Sequence, residues 1–500
     1  MAKPRKTSTD ALPAESPAGE LISMEEAIER LKTTRPTFAR WLKSGKIRGH
    51  KIGRQWRFYP KDIDAFLKGQ PVEAELPADI GPLLEQIRAF YERIRRAQVP
   101  PIEGRNVASA TNHMLLLSVE AKASDLHLEA MLQAGSSEPV GLLRIRIDGE
   151  LQTVAQFDRR LLHPLVDRWK LMANLDLNDR RKPKHNRIEL VVKQSPLDIR
   201  VSVTPTAFGE CLVACFLDST QLTFDLDKMR FHAADLERIH AALKRPAGLI
   251  VVTGPRGSGK TTVLYALLQR LAGPGAKTVT LEDPVSVSIP WALQTPVHPE
   301  TPFAESVRAL LRCAPNHLML AQLPNTETAM LAVDAALTGH LVLAAMYTDE
   351  ASGVMARLCD IGVPPMHVAE TVKLVIAQRL IRVLCPRCRK PAEPAEDLKR
   401  RAEEAYSRCV PDAAGLTWNY HEPVGCPDCA QTGFRGRVLI AETLEVSERI
   451  ATAIRRGRPA HELREIAIQQ GMTTFVADGV VRAAAGETTL EEVLRFAPPE

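Results

Sequence analysis

Aromatic residues make up only 5% of this 500-residue chain. No stretch of it approaches the roughly 18 consecutive apolar residues of a membrane-spanning helix. The most apolar segment, 329–347, is broken by Asp334, Thr338, Gly339 and His340. The first twenty residues, MAKPRKTSTDALPAESPAGE, lack the apolar centre of a secretory signal. The expectation is therefore a cytoplasmic chain with peripheral membrane contact at most. Two of the stretches without acidic residues bear on function. Arg30 to Lys61 holds eleven basic residues and no Asp or Glu, and nothing acidic lies between Glu305 and Glu327.

The first gap concentrates charge. Residues 1–70 carry 15 Lys/Arg and 8 Asp/Glu, a net +7, against +5 for the whole chain. A local excess of that size points to a polyanion partner for one small module, not to a basic protein overall. Hydrophobic content of 45% and charged content of 25% suit a globular protein, and the length suits about three or four domains.

The pattern along the chain divides as follows. Residues 1–20 read as a disordered tail. In 21–69, Ser23 and Glu26 form a capping-box signature for a helix through Lys32. Pro36 suits the first turn of a second helix to about Ser44, and Gly45 ends it. An alternating segment, 47–59, has Gly53 at a hairpin tip, and a last helix covers 60–67. A linker, 70–82, leads to an α+β domain over 83–227. That domain opens on an amphipathic helix, 83–98, and has strands at 142–147, 188–192 and 199–203. From 228 to 384 strands alternate with helices, as in a parallel α/β core, with strands expected at 249–252, 278–281, 318–321 and 341–345. A cysteine-bounded element, 385–433, and a helical region, 434–500, complete the chain.

Gly254-Pro255-Arg256-Gly257-Ser258-Gly259-Lys260-Thr261 matches G-x-x-x-x-G-K-[ST] in full, with Thr262 following. A strand, LIVV, precedes it and a helix, TTVLYALLQRL, follows, which is the context a phosphate-binding loop needs. The glycines let backbone N–H groups wrap phosphates, and the helix N-terminus adds positive potential. Lys260 is placed to reach the outer phosphates of ATP, and the Thr261 hydroxyl to hold Mg²⁺.

Around this loop, AGLIVVTGPRGSGKTTVLYALL, VTLEDPV, TGHLVLAAMYT and AQRLIRVLCPRC resemble successive landmarks of the assembly ATPases of type II secretion and type IV pili. Upstream, ASDLHLE, RIRIDGEL, RRKPKHNR and DIRVSVTPTAFGE are similar to the domain that precedes their motor core. The resemblance spans about 107–440. It implies a RecA-like core, a homo-oligomeric ring of six subunits and inner-membrane platform proteins as partners. It also implies that Glu282 lies near the γ-phosphate. Arg144, Arg180, Arg181, Arg187 and Arg200 fall on basic positions of the preceding domain. Each is either a finger that neutralises phosphate across a subunit interface or a structural ion pair.

The second acidic gap falls where the family has carboxylates. Asn316, Gln322 and Asn325 stand at acidic positions, Ala321 stands for Gly, Pro324 for Arg, and Tyr347 for a histidine. An amide can hydrogen-bond but cannot take a proton from water, and loss of a catalytic base costs about 10²–10⁴-fold in rate. Binding with slow or absent hydrolysis is the resulting expectation, unless Glu282 substitutes.

Two C-x-x-C pairs, Cys385/Cys388 and Cys426/Cys429, can close a four-thiolate Zn²⁺ site. A redox role for either pair is the alternative. The other five cysteines are scattered. Residues 21–69, through LISMEEAIERL, TTRPTFARWLKSGKI and KIGRQWRFYPKDIDAFL, resemble the winged helix-turn-helix of excisionase and MerR-type proteins. That implies a DNA-reading helix carrying Arg35, Thr37, Arg40, Lys43 and Lys46, and a wing with Lys51, Arg54 and Arg57. Trp41, Ile52, Trp56 and Phe58 read as core. Protein binding by the same fold stays open. The fold class is multidomain α/β: a RecA-like P-loop core with a preceding α+β domain, an N-terminal winged helix and a tetracysteine zinc insertion. Three functions compete: a degenerate nucleotide-binding relative with an appended DNA-binding domain, an active motor, or a DNA-binding regulator that uses the ATPase body to assemble.

Overall fold

The computed structural model describes residues 22–43, 47, 50–52, 55–67, 78–94, 104–192, 195–217, 224–298, 300–410 and 416–496. The tail 1–20 and the linker residues 70–77 lie outside the described residues. Two compact units result, Met1–Pro77 and Ala78–Glu500.

In the first unit the capping box forms: Glu26 N donates to Ser23 Oγ at 3.2 Å and Ser23 N to Glu26 Oε2 at 2.6 Å. It starts the helix Met24–Arg30, and the second helix is Arg35–Lys43 with Pro36 in its first turn. Strands His50–Ile52 and Gln55–Phe58 pair antiparallel, and helix Pro60–Leu67 follows. A short strand that the alternation pattern did not reveal, Ile22–Ser23, pairs with Arg57 and Phe58 to make a third strand. Ala27, Phe38, Ile47, Phe58 and Ile63 form the core, with Trp41 and Trp56 packed on its edge. Phe38 meets Phe58 edge-on at 5.1 Å. A core this small gives a unit of limited intrinsic stability.

The second unit opens on the amphipathic helix Gly81–Ile94, which buries Leu83, Leu84, Ile87, Phe90, Tyr91 and Ile94 along one face. It is anchored to the helix Val107–Glu120 by Tyr91 OH donating to His113 O at 3.2 Å. A six-stranded antiparallel sheet runs in the order Glu150–Phe157, Val140–Ile147, Asp125–Met131, Gly209–Leu217, Ser195–Thr206, Lys184–Val192.

The seven-stranded sheet that follows positions the site. Its order is Ala292–Pro296, Thr278–Glu282, His317–Leu320, Leu341–Ala345, Gly248–Thr253, Val372–Leu384, Phe434–Glu445. Pairing is parallel except at the last strand. Gly248–Thr253, Thr278–Glu282 and Leu341–Ala345 are buried at every residue, which suits the apolar runs Leu249–Val252 and Leu341–Ala345. The region after the cysteine pairs opens on the sheet strand Phe434–Glu445 before its four helices. Ligands of such sheets bind beyond the carboxyl ends of the strands, and that is where the P-loop sits.

Candidate nucleotide-binding site

The loop 254–259 leaves the buried strand Gly248–Thr253 and turns into the helix Lys260–Leu271. Gly254, Gly257 and Gly259 have φ of +142°, +75° and +89°, conformations that glycine alone adopts freely. A Cβ on Gly254 would run into the Gln378 carbonyl oxygen. Gln378 also donates Nε2 to Ser258 O at 2.6 Å, so the strand Val372–Leu384 buttresses the loop from behind. Pro255, Arg256, Gly257 and Thr261 are exposed, Thr262 is half-buried and Ser258 is buried. The first N–H groups of the helix have no partner within it and carry its positive end.

Lys260 is only 9% exposed. Its ammonium donates to the Gly254 and Pro255 carbonyls, both at 2.8 Å, and lies 4.1 Å from the Tyr347 ring centroid. Burial, with the neighbouring Arg256 second, brings its pKa down to about 8.

Glu282 ends the strand Thr278–Glu282 and is 2% exposed. Its Oε1 accepts from Thr280 Oγ1 at 2.6 Å and Gln294 Nε2 at 3.0 Å, and its Oε2 accepts from the Tyr265 hydroxyl. Tyr265 stands on the P-loop helix, and its oxygen also receives Ser286 N at 3.0 Å. Burial, then the bond to Glu282, raises the phenol to about 12. Tyr265 thus joins the P-loop helix to the acidic strand end. It went unnoticed in the sequence because it sits in an apolar helical run and reads as core.

The three amides of the second acidic gap differ in placement. Asn316 Oδ1 accepts Lys277 N at 2.7 Å, holding the entry of the strand His317–Leu320. Asn325 caps the helix Thr326–Leu337 by accepting Thr328 N at 3.0 Å. Gln322 is half-buried two residues beyond the strand, and its side chain makes no hydrogen bond among the described residues. Of the three, Gln322 alone has no backbone bond to keep.

Of the five arginines, two come to the acidic segment. Arg187 and Arg200 stand directly opposite one another on paired strands. Arg187 binds Asp198 and reaches Val285 O at 3.5 Å. Burial, then Arg187, lowers the pKa of Arg200, and Asp283 partly offsets this. Like charges in facing positions are unfavourable unless an anion compensates them. Arg144 is held by Glu129 and Arg180 by Asp167 at 2.6 Å, while Arg181 is 91% exposed and meets Asp179 at 3.4 Å.

The four cysteines meet. Their sulfurs all lie within 4.8 Å of one another, with Cys385–Cys426, Cys388–Cys429 and Cys426–Cys429 each at 3.8 Å. Tetrahedral thiolates ~2.3 Å from a metal stand about 3.8 Å apart, whereas a disulfide needs ~2.05 Å. The N–H groups of Cys426 and Gly433 donate to Cys429 Sγ, both at 3.2 Å. The donor set and spacing fit one structural Zn²⁺.

In the first unit, Arg35 is exposed and Thr37 half-buried at the start of the second helix. Arg40 and Lys43 lie further along it, and Lys51 and Arg57 lie on the hairpin strands. Lys46 and Arg54 lie outside the described residues.

Known proteins share this layout. Residues 103–495 match the family described as Type II/IV secretion system protein, and residues 21–71 match the one described as Helix-turn-helix domain. The chain is 36% identical to the type IV pilus assembly ATPase PilB of Myxococcus xanthus, over 87% of this chain and 75% of that protein. It is 38% identical to the type II secretion system protein HxcR of Pseudomonas aeruginosa, over 79% of this chain and 78% of that one. Among solved structures, the ATPase DotB of Legionella pneumophila superposes with a TM-score of 0.57 at 18% identity, covering 80% of this chain and 98% of that chain. The pilus retraction motor PilT, solved with bound ADP, gives 0.50 at 21% identity, covering 77% and 96%. These two likenesses speak for a shared RecA-like ATPase fold. The chain belongs to the type II/IV secretion system protein family and carries an excisionase-type helix-turn-helix domain at its N-terminal end.

Proposed function

We propose that this chain is an ATP-binding subunit of a secretion or pilus-assembly ring in which hydrolysis is slow or lost, and that its first unit binds duplex DNA. The reading is carried by one juxtaposition: a complete P-loop shares its sheet with a neutral Gln322 where a carboxylate base would stand. The P-loop amides, Lys260 and the helix end take the phosphates, and Thr261 offers its hydroxyl to Mg²⁺. Arg187 and Arg200 supply further positive charge. Gln322 can accept or donate a hydrogen bond to water, but it cannot remove the proton. Glu282 is a poor substitute, because three donors already occupy its oxygens. The tetracysteine centre holds Zn²⁺ as a brace. The ring is a homohexamer at the cytoplasmic face of the inner membrane, working with platform proteins there.

The basic run 30–61 supports the DNA role, with Arg35, Thr37, Arg40, Lys43 and Lys46 on the reading helix and Lys51, Arg54 and Arg57 on the wing. Six copies in a ring would add avidity to a weak single contact. MgATP titration of the full chain tests the nucleotide half. Saturable binding, weakened about 10- to 100-fold in Lys260→Ala by loss of a charge-assisted bond, is expected; no saturable binding contradicts it. Duplex DNA titrated at two salt concentrations tests the other half. Salt-dependent binding lost in an Arg40→Ala/Lys43→Ala variant is expected, and binding unchanged by that variant contradicts it.

A further inference from the structure

Lys260 and Tyr347 come together at the mouth of the P-loop through the sheet alone. Tyr347 follows the strand Leu341–Ala345, which pairs with the P-loop strand. Its backbone is pinned on both sides. Met346 N donates to Val252 O at 3.0 Å, and Thr348 N donates to Thr253 Oγ1 at 2.8 Å. Two residues further, Glu350 is clamped by Arg464 at 2.6 Å, and Arg464 is anchored in turn on the fully buried Glu442. The ring is therefore presented on a fixed backbone, although 56% of the residue is exposed. Its face covers an ammonium that two loop carbonyls already hold.

We propose that Tyr347 is a positioning residue that holds Lys260 in a withdrawn conformation and thereby sets the nucleotide affinity of the P-loop. The inference rests on the reading of residues 254–262 as an ATP site. The two carbonyls take two of the ammonium's three N–H donors, so a phosphate must take it on the side that the negative face of the ring covers. A cation over an aromatic face gains energy from the ring quadrupole, so the ring adds to what the phosphate must displace. The hydroxyl takes no part, and phenylalanine offers an equivalent face.

The test is MgATP titration calorimetry on the full chain as natural protein, Tyr347→Ala and Tyr347→Phe. Tyr347→Ala is expected to bind about 3- to 10-fold more tightly, with its melting temperature unchanged. Tyr347→Phe is expected to match the natural protein, a rescue that a general loosening of the loop would not produce. If Tyr347→Ala binds equally or more weakly, the inference is overturned and the ATP reading stands. Equal tightening in both variants also overturns it, because the effect would then lie in the hydroxyl. Absence of binding in all three proteins overturns both.

Discussion

Two strand ends of one sheet have fared differently. Beyond Gly248–Thr253 stand left-handed glycines, a lysine, a threonine and a helix end, the parts of the proposed phosphate site. Two strands away, around His317–Leu320, amides stand where the family resemblance leads one to expect carboxylates. Yet the second end is not disordered or collapsed. Asn316 and Asn325 make backbone bonds that hold the strand entry and cap the next helix. Both ends keep an ordered scaffold, and what sets the second apart is its three amides, Asn316, Gln322 and Asn325. On the proposed reading, binding and bond cleavage rest on opposite sides of the P-loop's neighbouring strand.

The sharpest break of this comparison is Gly254→Val. The left-handed backbone and the Gln378 carbonyl leave no room for a side chain, so saturable MgATP binding is expected to vanish, measured by calorimetry. Next is Tyr265→Phe, which removes a donor from buried Glu282 and an acceptor from Ser286 N. It is expected to cost about 1–3 kcal/mol of stability by denaturant unfolding, showing that Glu282 serves as a tether.

A smaller effect concerns pH. With the Lys260 pKa lowered to about 8 and the phosphate requiring the cation, affinity is full below that value and falls as pH rises through it. The neighbours of the ammonium are the cation Arg256, two neutral carbonyls and the Tyr347 ring. Between pH 7.5 and 9 the MgATP dissociation constant should rise roughly tenfold; a flat profile would mean an ordinary lysine. The smallest effect is Asn325→Ala, which loses a helix cap for about 1 kcal/mol and leaves MgATP affinity unchanged. Asn325→Asp should be close to neutral by both measurements.

The P-loop was legible because glycine spacing, a flanking apolar strand and a helical pattern all lie within some twenty residues. The cysteine centre was legible for the same reason of short, repeated spacing. What escaped depends on long-range pairing. The strand Phe434–Glu445 lies in a region expected to be helical, and its antiparallel partner lies far upstream in Val372–Leu384. Ile22–Ser23 is too short to alternate. Tyr265 and Tyr347 carry no local signal, since one looks like core and the other like a substituted motif position. Asn316 and Asn325 looked like lost carboxylates, and only the geometry reveals their backbone roles. The basic helix of the first unit could be read from its charge.

The central claim is that nucleotide is bound but not readily cleaved for want of a base at position 322. The direct measurement follows MgATP binding and phosphate release on one preparation of the natural protein and of Gln322→Glu. Binding without appreciable release in the natural protein, with release at least about tenfold faster in Gln322→Glu, is the predicted result. Ready release by the natural protein, unchanged or slower in the variant, would contradict the account.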